Sequence, residues 1–81
     1  MNKTRDEIWL TEFGEHLRQI RKSKNLSQKD LAFEADVEVS QISRIENGII
    51  NTTLTTILLL AESMDIPPSA FFEYQPSKSK K

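Results

Sequence analysis

Cysteine is missing from this chain altogether, which excludes disulfide staples and thiolate metal sites at one stroke. Glycine occurs only twice, too rarely for a glycine-rich phosphate loop. The three prolines stand at 67, 68 and 76, so nothing interrupts helix formation over the first 66 residues. His16 is the lone histidine and no acid cluster converges with it, which leaves no acid–base or metal constellation; neither an enzyme nor a cofactor is expected. The longest apolar run, Ile57 to Ala61, is far too short to span a bilayer, and the N-terminus has no hydrophobic secretion segment; the expected location is the cytoplasm.

An excess of positive charge is also lacking. The formal charge is −1, and residues 11–74 carry 6 Lys and Arg against 10 Asp and Glu. The cations of that stretch are nevertheless gathered: Arg18, Arg21, Lys22 and Lys24 belong to one helical pattern, and Lys29 and Arg44 follow. The other five cations lie near the two ends, at Lys3, Arg5, Lys78, Lys80 and Lys81.

What is present is helical periodicity. Phe13, Leu17 and Ile20 recur on one face of a first helix that runs to about Lys24, with Asn25 as its stop. Its start has two readings: Thr4 with Glu7 forms a capping box, and Thr11 serves equally as a cap with residues 1–10 as an arm; Thr11 is the reading adopted. Ser27 with Asp30 opens a second helix whose inner face is Leu31, Ala32 and Ala35. A short turn through Asp36 and Val37 leads to a third, Val39 to Asn47, that buries Ile42 and Ile45 and turns Ser40, Gln41, Ser43 and Arg44 outward. These are side chains suited to reading base edges, and two short helices joined this way are how small proteins place one helix in the major groove.

Thr53 caps a fourth helix with Leu54, Ile57, Leu60, Ala61 and Met64 on its core side, and Pro68 begins a fifth carrying Phe71 and Phe72. Residues 75–81 read as a disordered basic tail. The expected organisation is therefore all-α, with an arm or helix extension over 1–10, one domain over 11–74 and the tail.

Four stretches, L-R-Q-I-R (17–21), L-S-Q-K-D-L-A (26–32), I-S-R-I-E-N-G (42–48) and L-x-x-I-x-x-L-A-x-x-M-x-I (54–66), resemble the Xre-type helix-turn-helix proteins, a family that includes phage repressor and Cro-like regulators and restriction-modification controller proteins. The resemblance implies a five-helix, lambda-repressor-like domain acting as a homodimer on a near-palindromic operator. It places Val39, Ser40, Gln41 and Arg44 at base edges, Gln28, Ser43, Asn47 and Asn51 at phosphates, and Arg21 in a structural ion pair with Glu46. Glu38 departs from the family pattern: it stands at the start of the third helix, where Ser, Thr or Asn is usual, and its charge either accepts from a cytosine amino group or, the reading adopted, repels phosphate.

Leu58 and Leu59 fall outside the buried stripe of the fourth helix and, with Phe72 or Tyr74, compose a patch for a second copy of the chain. The partners expected are double-stranded DNA and that second copy, with promoter activity changed by occlusion or by touching RNA polymerase. The alternative is an antitoxin-like module that binds a toxin partner and autoregulates its operon.

Overall fold

The computed structural model describes residues 3–79 and is all-α among them, with helices α1 (Arg5–Ser23), α2 (Gln28–Ala35), α3 (Val39–Glu46) and α4 (Leu54–Ser63), then a 3-10 turn, Pro68–Phe72. The fifth element is thus not an α-helix, and the expected count of five is corrected to four. Its bonding explains why: the Ala70 amide donates to the Pro67 carbonyl at 2.9 Å, an i to i+3 closure, and Glu73 returns only a long 3.5 Å bond to Ala70. Five residues between prolines and an extended strap do not propagate an α-helix.

All four helices stop the same way. Asn25, Asp36, Gly48 and Asp65 each take a left-handed φ between 55° and 71°. The residue that follows each one, Leu26, Val37, Ile49 and Ile66, donates its amide five residues back to Arg21, Ala32, Arg44 and Ala61. Asn and Asp tolerate this conformation, so three of the four stops need no glycine. Gly48 does, because a Cβ there would also meet the Thr11 backbone at 2.7 Å.

At the other ends, Thr4, Ser27 and Thr53 accept the amide of the third residue on, and for Thr4 and Ser27 the box closes reciprocally through Glu7 and Asp30. The start of α1 at Arg5 corrects the reading that put the cap at Thr11: the Thr4–Glu7 box wins, and Ile8, Trp9 and Leu10 are helical.

Leu17, Leu31, Ile42, Ile45, Leu60 and Phe71 are fully buried and compose one core, with Ala32 and Ala35 allowing α2 to lie close to its neighbours. Phe13 adds an edge-on contact with Phe71 at 6.0 Å. The crossing of α1 over α3 is tighter still. A Cβ at Gly14 would run into the Ile45 and Glu46 carbonyls, so α1 lies on the backbone of the C-terminal turn of α3.

Candidate nucleic-acid interface

The turn between α2 and α3 is Asp36–Glu38, and it sets α3 across the surface with Ile42 and Ile45 inward. Val39, Ser40 and Arg44 face solvent, and Arg44 makes no ion pair among the described residues. Gln41 is only half exposed. Its Nε2 lies 3.5 Å from the Thr56 hydroxyl, so it leans toward α4 and would turn outward to reach a base. Glu38 is the N-terminal cap position of α3, but its side chain makes no cap bond and its charge remains at the mouth of the reading helix.

What holds α3 in place is charge. Glu46 at its last turn is 2% exposed and accepts from Arg21 through both oxygens, at 2.6 and 2.9 Å, while Arg21 also donates to the Leu26 carbonyl at 2.7 Å. Arg18 adds a longer contact at 3.4 Å. Burial pushes the Glu46 carboxyl up, and the donors Arg21, Gln28 and Arg18 together overcome it, leaving the group below the usual carboxylate range. Arg21 is raised by its bond to Glu46, so both partners stay charged.

Two residues expected at phosphates are tied into this cluster. The Gln28 amide donates to Glu46 at 2.9 Å, and Asn47 receives a 2.9 Å bond from Arg18 while its own amide reaches Ser43 Oγ at 3.4 Å. Ser43 is half exposed, and Asn51, in the loop before α4, is exposed. To reach a phosphate, Gln28 and Asn47 would have to release a partner or share it.

Gly14 and Arg18 are the functional supports that sequence reasoning did not single out. A glycine in mid-helix is the signal that would have found the first, since it weakens a helix by about 1 kcal/mol unless packing requires it. His16, read as partnerless, has partners: its Nε2 lies 2.9 Å from the Ala70 carbonyl and its ring 4.9 Å from Tyr74, which ties the 3-10 turn to α1. Leu58 and Leu59 are 45% and 36% exposed, and Phe72 59%. Leu54, at 73%, is more exposed than any of them and was expected in the core. It borders a groove of about 420 Å³ together with Trp9, Leu10, Phe13, Phe72 and Tyr74.

A bundle that fixes one short polar helix by a buried ion pair and leaves that helix's outer flank in water is a helix-turn-helix domain. The helix-turn-helix family model matches residues 17–71, and the chain belongs to that family. It is 40% identical over 63 residues to the control protein C.BamHI of Bacillus amyloliquefaciens, covering 76% of this chain and 78% of that one. The HTH-type transcriptional repressor RghR of Bacillus subtilis is 43% identical over 56 residues, 68% of this chain and 42% of the repressor. Among solved structures, the restriction-modification controller protein C.AhdI from Aeromonas hydrophila superposes with a TM-score of 0.76 at 41% identity, over 78% of this chain and 96% of that one. The chain is accordingly a DNA-binding transcription regulator of the Xre and controller type, not an enzyme. No helix among the described residues is long and apolar enough to cross a membrane.

Proposed function

We propose that this regulator acts in the cytoplasm as a homodimer that reads a near-palindromic operator through α3. The observation that supports this most directly is the flank of Val39, Ser40 and Arg44, exposed on a helix whose opposite side is locked by Arg21 and Glu46. Arg44 offers two donors to a guanine, Gln41 pairs with an adenine once it leaves Thr56, and Val39 packs on a thymine methyl. Ser43, Asn47, Asn51 and the start of α2 at Gln28 hold the phosphates on either side, the last by helix amides as much as by its side chain.

The second copy docks on the exposed apolar belt of Leu54, Leu58, Leu59 and Phe72, with Tyr74 at its edge. Burying one such leucine is worth roughly 1.5 to 3 kcal/mol, and a two-fold axis through this belt counts each twice. The dimer places its two reading helices in successive major grooves, about 34 Å apart. Similarity to control and controller proteins favours regulation of a promoter, with occlusion or a polymerase contact as the effector step.

Selection of bound duplexes from a random pool tests both parts. Two half-sites about one helical turn apart and two chains per duplex are expected, and Arg44→Ala costs about 1 to 3 kcal/mol with preference relaxed at one base pair of each half-site. Unchanged preference in Arg44→Ala overturns the reading assigned to α3, and one chain per duplex overturns the dimer.

A further inference from the structure

The N-terminal half of α1 meets the segment that follows the 3-10 turn. The Trp9 indole donates to the Ser77 carbonyl at 2.7 Å, the Ser77 amide donates to Glu12 Oε1 at 3.0 Å, and the Ser77 hydroxyl bonds to the other oxygen of Glu12. Residues 73–79 thus lie along α1 as a strap; of the tail expected from residue 75, Lys80 and Lys81 lie outside the described residues. The strap sets Lys78 beside Lys3 and Arg5 around a hollow of about 480 Å³ floored by Ile8 and Trp9, with Arg5 5.4 Å above the indole.

We infer that this pad of Lys3, Arg5 and Lys78 is a second DNA contact, made to the phosphate backbone beyond the loop that carries Asn51. The inference rests on the operator-binding reading above and adds a site to it. Its first support is position. Asn51 and Trp9 line one groove, and Trp9 also floors the cationic hollow, so the pad continues outward from the loop. Thr11 abuts Gly48 at the end of α3, and Arg5 lies six residues further along α1, about 9 Å at helical rise.

Its second support is charge. Residues 11–74 are acidic, whereas the terminal segments hold five of the eleven cations, and the fold brings three of them to one place. The neighbouring acids are largely engaged: Glu7 caps the Thr4 amide, Glu12 holds Ser77, and Asp6 pairs with Arg5 at 3.2 Å. Lys3 and Lys78 make no ion pair among the described residues. Lys3 and Lys78 are therefore open to phosphate, and the Arg5–Asp6 pair is exposed enough for a phosphate to take the place of Asp6, while Glu38 at the start of α3 sets a negative charge on the recognition face.

The test is a salt titration of the full chain on a duplex of about 30 base pairs that the protein has selected from a random pool, with Lys3→Ala/Arg5→Ala/Lys78→Ala beside the parent. Every phosphate that the protein ceases to neutralise makes the slope of log K against log salt shallower by about 0.9, so a change of roughly 2 to 3 per bound chain, about twice that for a dimer on one duplex, is expected, with affinity down at least about tenfold and site preference intact. Lys78→Glu, on the exposed strap, provides a single change that leaves the helices untouched and is expected to weaken binding in the same salt-dependent way. An unchanged slope in both variants overturns the pad, as does a variant that alters only dimer dissociation. Arg44→Ala on the same duplex separates the failures: relaxed preference there with an unchanged slope in the pad variants sinks the pad alone.

Discussion

The two ends of α1 are held by opposite physics. At its C-terminal end Arg21 and Arg18 reach Glu46 inside the protein, where a carboxylate at 2% exposure has no water to fall back on. At its N-terminal end Glu12 and Trp9 hold Ser77 at the surface, by bonds that water replaces at little cost. The first end fixes α3 to the core and is a matter of stability. The second gathers exposed cations and can be loosened without disturbing the fold.

Breaking the first end has the largest expected effect. Glu46→Ala leaves the Arg21 guanidinium buried with only the Leu26 carbonyl for a partner and is expected to cost about 3 to 5 kcal/mol, read from urea or thermal unfolding. The cluster also predicts the acid limit of the fold. Because the Glu46 carboxyl is held below its ordinary value of 4.5, its contribution is complete above that value and is lost as pH falls through the lowered one. A Glu46→Gln variant is expected to be less stable at pH 7 and to show a flatter dependence as pH falls below about 4.5. Equal slopes in the two proteins would assign the acid transition to another carboxylate.

Gly14→Ala sharpens the same contrast through packing instead of charge. The new methyl meets two carbonyls of α3, which are backbone and cannot swing aside, so α1 and α3 have to separate. Alanine favours a helix by about 1 kcal/mol over glycine, yet a net loss of about 1 to 3 kcal/mol is expected here. Thermal melts showing a more stable variant would mean that the two helices can part without penalty. Because the shift moves α3, weaker DNA binding accompanies the loss.

The helix-turn-helix was legible because each of its signals is local. Ser27 and Asp30 cap α2, Asp36 suits a left-handed stop, and Ile42 and Ile45 set the inner face of α3 within one turn of each other. The Arg21–Glu46 pair was available only through family resemblance, since a bond across 25 residues leaves no periodic trace. Three features escaped for want of a local signal. Thr4 and Thr11 both offered caps to α1, and the deciding factor was the reciprocal Glu7 bond, which a sequence allows without requiring. The fifth element had proline at its first position, as an α-helix would, but lacked the length to close a second turn. Ser77 meets Glu12 across 65 residues, and nothing in a short Pro, Ser and Lys segment announces a docking site.

The smallest expected effect lies at that junction, and it is the sharpest discriminator between the two ends. Ser77 holds the Glu12 carboxyl below its ordinary value, by its hydroxyl first and its amide second, so these two bonds are at full strength above pH 4.5 and weaken as pH falls through the lowered value. Glu12→Gln removes the charge from both bonds at every pH. At pH 7 its single tryptophan, Trp9, is expected to emit at longer wavelength than in the parent, because an indole freed from the Ser77 carbonyl sees more water. The melting midpoint stays nearly where it was, since Leu17, Ile45, Leu60 and Phe71 keep their core packing. A parallel fall in midpoint and tryptophan environment would show that the strap belongs to the cooperative core, and the two ends of α1 would then have to be treated as one unit.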